Sequence, residues 1–424
     1  MSEDERDDVE EFRERARAWL AENMEPVSPS RGARLRGAGH VTTEQIDRER
    51  VLQRKLYDGG YAGITWPSEY GGQGLTRAHE RTFQAEAARY RMPNFGVAGG
   101  TTFGVCAATM LRHASPEFLG RHFPRILAGD ELWVQFFSEP GAGSDLAGVT
   151  TRATRDGDRW ILNGAKIWSS GAYYADYGMC LARTNWDVPK HRGLTWFAVP
   201  TNAKGLTVRP IREINGDIEF CEEFFDDVEL DDNERIGDVN DGWTVAQTML
   251  VFERGGGDLG VFDQVEKRRS ELPADLVALA KRVGRENDPI VRQAIARVHT
   301  LNYVQSQLGK RISSHIRADT GPAASIAAYG KLAAGLFDPQ RARIAMEIGR
   351  GAALVWETGD LEGQRTSLNH LNSRIMSIAG GTNEMQRNAI SERVLGFPRE
   401  PSYDTDRPFS EVVRTASEWT GKVG

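Results

Sequence analysis

The sequence predicts an α+β protein built in three parts: a helical domain over 1–131, a central β-domain (a small barrel or sandwich) over 132–243, and a helical bundle over 244–400. Three observations predict it. Apolar residues recur at helical spacing towards both ends of the chain, and short alternating segments bounded by Gly, Asn and Asp fill the middle. The length of 424 residues is enough for two or three cores rather than one. Residues 401–424 are left as a polar extension.

In the first part, Val9, Phe12, Ala16, Trp19 and Leu20 make one apolar helical face. Pro67 and the run Gly71-Gly-Gln-Gly74 interrupt the pattern, and it resumes over Phe83 to Tyr90. Gly99 to Leu111, small and mostly apolar with Phe103 inside it, reads as a close-packed core helix.

The middle part opens with the apolar strand Trp133-Val-Gln-Phe-Phe-Ser138, which stops at Glu139-Pro140. It runs into Gly141-Ala-Gly-Ser-Asp145, where glycines permit positive φ and close approach of a ligand. Successive N–H groups in such a loop form a concavity suited to a pyrophosphate. Asp156-Gly157 and Asn163-Gly164 predict hairpin turns. Trp168 and Ser170 stand two residues apart, so a regular strand carries the ring and the hydroxyl on one face. Further strands are predicted at 193–199, 206–209 and 220–228, before helical periodicity returns over 291–308, 323–337 and 344–356.

Composition narrows the function. The net charge of −7, with basic residues spread along the chain, excludes a nucleic-acid partner. No apolar run reaches membrane-spanning length, and the acidic start Met1-Ser-Glu-Asp-Glu-Arg-Asp-Asp8 does not read as a targeting peptide. Cys106, Cys180 and Cys221 are far apart without metal or redox spacing, which fits a cytoplasmic protein. No His-Glu-x-x-His pattern occurs among the eight histidines, so no metal is expected. A nicotinamide fold is disfavoured, because no Gly-x-Gly-x-x-Gly follows a strand and opens a helix.

The runs Ser138-Glu-Pro-Gly-Ala-Gly-Ser-Asp145 and Leu162-Asn-Gly-Ala-Lys-Ile-Trp-Ser-Ser-Gly171 resemble the flavin-binding signature of the acyl-CoA dehydrogenases. Ile64-Thr-Trp-Pro-Ser-Glu-Tyr-Gly-Gly-Gln-Gly74 and Gly380-Gly-Thr-Asn-Glu-Met-Gln-Arg387 extend the resemblance from about Phe12 to Glu400. It implies non-covalent FAD, with Gln135, Phe136, Phe137 and Ser138 along the flavin ring and Ser138 hydrogen-bonding its edge. Gly143 and Ser144 would meet the pyrophosphate or the CoA side of the substrate. Trp168 would pack on the ring, Ser169 would lie beside it, and Ser170 would reach its N5 region. Thr382 and Glu384 match family positions that touch the cofactor, and the segment 99–111 would line the acyl tunnel.

The resemblance further implies conversion of an acyl-CoA thioester to the trans-2-enoyl-CoA, with electrons leaving through an electron-transfer flavoprotein. Many members carry the base just before the Gly-Thr of the last motif, where this chain has Gly380. In isovaleryl- and long-chain-type members it lies on the helix opening the last domain, where this chain reads Phe252-Glu253-Arg254. Val245, Met249 and Phe252 mark that helix's apolar face, with Glu253 at its edge, so a partly desolvated carboxylate is expected. Glu253 is the expected base, Arg254 would orient the CoA or the base, and a backbone N–H near Gly380 would hold the thioester oxygen. Gly255-Gly256-Gly257 then admits a ligand or ends the helix.

Two family segments differ here: Lys281-Arg-Val-Gly-Arg-Glu-Asn-Asp288 stands where a neighbouring subunit's Arg-x-x-Phe-Gly would grip the adenine end, and Gln364-Arg-Thr-Ser-Leu-Asn-His370 stands near the place of a Gly-rich run. A homodimer or homotetramer, or a mixed tetramer with a related subunit, would complete the site. The alternative readings are a flavin monooxygenase or oxidase on the same fold, and a non-catalytic subunit of a mixed tetramer.

Overall fold

The computed structural model describes residues 3–27, 40–253, 273–318, 323–357, 360–399, 401–402 and 404–418. The predicted face of the first helix, α1 (Glu3–Asn23), is buried at Val9, Phe12, Ala16 and Leu20. It packs with Leu56 of α2 (Thr43–Asp58) and Phe83 of α3 (Arg77–Ala87) around Ile64. Thr42 starts α2 through a capping box with Gln45, which satisfies two otherwise orphaned N–H groups.

The small-residue segment is a helix with an irregular centre. α4 (Gly96–Gly99) continues as a π-helical turn over Gly100–Cys106 and then as α5 (Ala107–His113). Thr102 in the turn is fully buried; its hydroxyl donates to the Trp133 carbonyl at 3.0 Å and accepts from the Trp133 N–H at 2.8 Å. The helix is thereby pinned to the strand that leads into the glycine loop. α6 (Pro116–Ala128) closes this part.

The central part is one eight-stranded sheet of order β6-β7-β3-β2-β4-β5-β8, with β1 (Trp133–Phe136) on β4 (Tyr177–Arg183). β1 pairs parallel to β4, while β2 (Arg152–Asp156), β3 (Arg159–Ser170) and β7 (Phe220–Asp231) run antiparallel in turn. β5 (Leu194–Pro200) and β6 (Leu206–Pro210) match the strands expected near them, whereas β8 (Arg235–Ile236) was not expected from the sequence. Among the described residues β6 and β8 are edges, so the pairing does not close a barrel. Asp156-Gly157 is the predicted hairpin, Asp156 pairing with Arg159.

Asn163-Gly164 is not a turn. It lies inside β3 at a register shift, where Asn163 exchanges hydrogen bonds with Asp227 of β7 (2.9 and 3.0 Å). Gly164 is required by a close approach instead, since a Cβ there would stand 2.7 Å from the Thr151 Cα. A tertiary neighbour, not a local turn, selected the glycine.

The last part is helical: α7 (Gly242–Glu253), then Ala274–Arg282, Pro289–Arg317, Ala323–Gly349, Leu361–Asn372, Ile375–Ile378 and Asn383–Arg393. The extension is not merely polar, for Phe409–Glu418 is a helix and Phe409 is buried. Among the described residues no helix is long and apolar enough to cross a membrane.

Candidate active site

Strand alternation divides β1 between two cores. Trp133 packs in one, with Phe137 just beyond the strand against it, while Val134 and Phe136 enter the other. Phe136 is completely buried against Phe225 and over Gly178, so it offers no surface to a ligand, contrary to the expectation for it. Gln135 and Phe137 are half-buried, and the Gln135 Nε2 is buried without a hydrogen-bond partner. Ser138 is half-buried, and its carbonyl accepts from the Ile167 N–H at 2.9 Å, tying the end of β1 to β3.

The glycine loop hangs from a buried ion pair. The Lys166 ammonium donates to Glu139 Oε1 at 2.8 Å and to the Phe137 carbonyl at 3.0 Å. Glu139 also accepts from the backbone N–H groups of Thr150 (2.6 Å) and Thr151 (2.9 Å). Burial works to raise the Glu139 carboxyl, but the Lys166 charge and these hydrogen bonds overcome it and hold the group below its usual range. Both residues stand in the quoted motifs, yet sequence reasoning gave neither a role. Beyond this anchor Gly141, Gly143 and Ser144 are exposed, and a Cβ at either glycine would meet nothing within 4 Å.

Trp168 departs from regular strand geometry. It has φ +70° and sits at the β3–β7 register shift between Ile167 and Ser169, so simple alternation does not relate it to Ser170. The bulge leaves the indole 55% exposed, edge-on to Phe220 at 5.7 Å. Ser170 is half-buried, opposite Phe220. Ser169 is turned inward: it is buried and donates to Glu223 Oε2 at 2.9 Å, which removes it from the cofactor-facing set.

Glu223, missed in the sequence because nothing in the pair Glu222-Glu223 says which of the two is buried, is wholly buried with Oε1 unpartnered. Burial pushes its carboxyl up to about 8, against the Ser169 hydrogen bond and the Lys166 charge, which both pull it down. The folded chain therefore keeps a proton that the unfolded chain releases above its ordinary value of 4.5. Stability attributable to this residue falls as pH rises from about 4.5 to about 8 and then levels off. Glu223→Gln is expected to gain ~2–4 kcal/mol relative to the parent at pH 8 and little at pH 4.5. Denaturant titrations at both pH values check it; a difference that does not change with pH contradicts a buried neutral carboxyl.

The expected base and the missing side chain meet in space. A Cβ built on Gly380 would stand 3.6 Å from Glu253 Oε1 and 3.6 Å from Lys331 Cε. Val245, Ala246 and Met249 bury the inner face of α7 and bring its end to this point. Glu253 is exposed, so the expected partial desolvation is not supplied here: it lies outside the buried set Gly242, Val245, Ala246 and Met249 of α7, and Gly380 has no side chain to shield it. Arg254 and Gly255 to Gly257 lie outside the described residues. Burial, and next the Glu253 charge, raise the Cys106 thiol, which puts Glu253 within electrostatic reach of the π-helical turn.

Gly380 and Gly381 have φ of +66° and +91°, a left-handed turn between two helices. Lys331, also unassigned from sequence, holds this turn by donating to the Met376 and Gly381 carbonyls at 2.6 and 3.2 Å. Thr382 caps the helix Asn383–Arg393, accepting from the Met385 N–H at 3.2 Å. Glu384 is exposed in its first turn, 3.1 Å from Arg387. Both line a cleft of about 610 Å³ that also receives Arg297, Arg343 and Arg374. Three guanidinium groups beside a helix N-terminus suit an anionic ligand. In the divergent segment, Arg285 pairs with Asp288 at 2.8 Å and Arg282 with Asp360 at 2.9 Å, so both arginines make contacts within the chain.

Three family descriptions match this chain: acyl-CoA dehydrogenase N-terminal domain over residues 6–130, middle domain over 135–228 and C-terminal domain over 240–395. Acyl-CoA dehydrogenase IpdE1 of Mycobacterium tuberculosis is 37% identical over 401 residues, covering 93% of this chain and 99% of that protein. Acyl-CoA dehydrogenase FadE34 of the same organism is 35% identical over 354 residues, 83% of this chain and 47% of that protein. Among solved structures, the Tcur3481-Tcur3483 steroid ACAD matches with a TM-score of 0.72 at 28% identity, over 92% of this chain and 98% of that one. The ChsE4-ChsE5 complex from Mycobacterium tuberculosis matches with a TM-score of 0.66 at 28% identity, over 93% and 98%.

Proposed function

This chain belongs to the acyl-CoA dehydrogenase family, and on that premise we propose that it uses FAD to convert an acyl-CoA thioester to its trans-2-enoyl-CoA, with Glu253 as the base. The observation that carries this reading is the Glu253 carboxylate standing beside Gly380, where the chain itself supplies no carboxylate.

The residues present fit a flavin dinucleotide. An exposed indole on a bulge, a half-buried Gln135 with an unpartnered Nε2, open space at Gly141 and Gly143, and an arginine-lined cleft at Thr382 are the surfaces such a group needs. Gln135, Phe137, Ser138, Trp168 and Ser170 would hold its ring, Gly143 and Ser144 its diphosphate or the substrate's CoA, and Thr382 and Glu384 its other end. Bound FAD supplies the hydride acceptor. Glu253 accepts the α-proton, Arg254 orients the CoA or the base, and a backbone N–H near Gly380 stabilises charge developing on the thioester oxygen.

An electron-transfer flavoprotein is the proposed acceptor, and a cytoplasmic location fits three buried cysteines without disulfides. A bulky acyl group is favoured, because Gly100 and Gly104 of the π-helical turn and Gly380 carry no side chains. The neighbour described as a steroid ACAD points the same way. Exposed Leu354 (66%) and Val355 (78%) favour an oligomer, and the inward engagement of Arg282 and Arg285 favours a related second subunit.

Anaerobic addition of straight, branched and polycyclic acyl-CoA thioesters to the FAD-loaded chain, alone and co-purified with a related subunit, tests this reading. At least one thioester should bleach the visible flavin band. A preparation that binds FAD and thioesters yet never bleaches overturns the dehydrogenase assignment, and one that takes up no FAD under either condition overturns the cofactor.

A further inference from the structure

The C-terminal extension reaches the glycine loop by two separate routes. Its backbone is laid against the segment before Lys190: the Phe409 N–H donates to the Val188 carbonyl at 2.9 Å and the Ser410 N–H to the Trp186 carbonyl at 2.8 Å. From there, Asp404 Oδ2 accepts from the Lys190 ammonium at 2.6 Å, and the same ammonium donates to both oxygens of Asp145, at 2.9 and 3.0 Å. Ser402 donates to the other Asp404 oxygen at 2.5 Å. Asp145 is the last residue of the run Gly141 to Asp145.

The second route uses Phe409, whose ring lies 3.7 Å from the Arg183 guanidinium. Arg183 is fully buried and donates to the carbonyls of Ala147 (2.5 Å) and Val149 (3.1 Å), just beyond the loop, and to that of Lys190 (3.1 Å). Both cations that hold the loop's far end are thus covered by the extension. The near end is held independently by Glu139 and Lys166.

We propose that residues 404–410 form a strap that fixes the Gly141–Asp145 loop for ligand recognition, with Lys190 and Asp404 as positioning residues. The Lys190 side chain is 10% exposed, so water competes little for it, whereas Asp145, 60% exposed, has little other restraint on its carboxylate. Loss of the strap frees the loop without touching Glu253 or Trp168. The inference rests on the proposed acyl-CoA reading only for the identity of the ligand.

Hydrogen–deuterium exchange and steady-state kinetics of the full-length, FAD-loaded chain test it together. Asp404→Asn and Lys190→Met should raise amide exchange across 141–148 by about 5-fold, the equivalent of one ion pair at the upper end of the surface range, with 133–136 unchanged. Lys190→Arg, which keeps a cation between two carboxylates, should restore slow exchange. In the same variants KM for the acyl-CoA should rise by about 5-fold with kcat within about 2-fold of the parent. Unchanged exchange at 141–148 in Asp404→Asn, a side chain exposed enough to replace without loss of the fold, overturns the strap. Faster exchange with unchanged KM overturns its part in ligand recognition. A parent chain that oxidises no acyl-CoA overturns the proposed function instead, and the exchange comparison still decides the strap.

Discussion

Glu253→Gln is expected to abolish substrate-dependent flavin bleaching by at least ~100-fold, the low end for a general base, while FAD and acyl-CoA binding stay near normal. Glutamine keeps the volume and the hydrogen-bonding atoms at the Gly380 face but cannot take a proton from the α-carbon. Single-turnover mixing with a good thioester measures the effect, and a variant that bleaches at close to the parent rate removes Glu253 from the chemistry. Moving the carboxylate across, as Gly380→Glu in the Glu253→Gln background, has room for a Cβ, since the nearest atoms would be 3.6 Å away. The obstacle is the backbone. Residue 380 has φ +66°, and a side chain there is expected to cost ~1–2 kcal/mol. Partial recovery accompanied by lower thermal stability is therefore the expected result of the double variant.

Lys166→Met is expected to destabilise the fold by ~3–5 kcal/mol, because it strands the Glu139 carboxylate in the core without its counter-ion. Lys166 and Glu139 side chains are 0% and 5% exposed. The loss extends beyond the pair, as Lys166 also satisfies the Phe137 carbonyl at the end of β1. Adding Glu139→Gln should recover part of the stability by removing the unpaired charge, though one amide oxygen replaces a carboxylate that accepts from both Thr150 and Thr151. Chemical denaturation of the single and double variants separates the contributions. A single variant within about 1 kcal/mol of the parent would mean that the interior tolerates the lone carboxylate.

Much of the architecture was legible because it is periodic. The face of α1, the strands near 194–200, 206–210 and 220–231, and the helices near 289–317 and 323–349 follow from spacing that any core would impose. The glycine loop and Trp168 were legible as motifs, although their geometry was not. Asn163-Gly164 misled because its composition is that of a turn while its cause is the Thr151 backbone packed against Gly164. Trp168 and Ser170 misled because a bulge in β3, at its pairing with β7, inserts a left-handed residue where alternation assumes none. Phe136, in the strand leading into the first motif, and Ser169, in the second, face inward to Phe225 and Glu223 of β7, and only tertiary packing against that strand decides it.

The sequence by itself determined the fold class, the family resemblance, the loop and the pairing of a glycine at 380 with a glutamate at 253. These are properties of residue type and order, read from local spacing and recurring motifs. The tertiary structure alone decided that Glu253 reaches Gly380, that Glu223 lies wholly buried at Ser169, and that an extension read as polar covers the two cations behind the glycine loop. Each of these joins segments far apart in the chain, and desolvation, ion pairing and stacking act between neighbours in space, about which local periodicity carries no information.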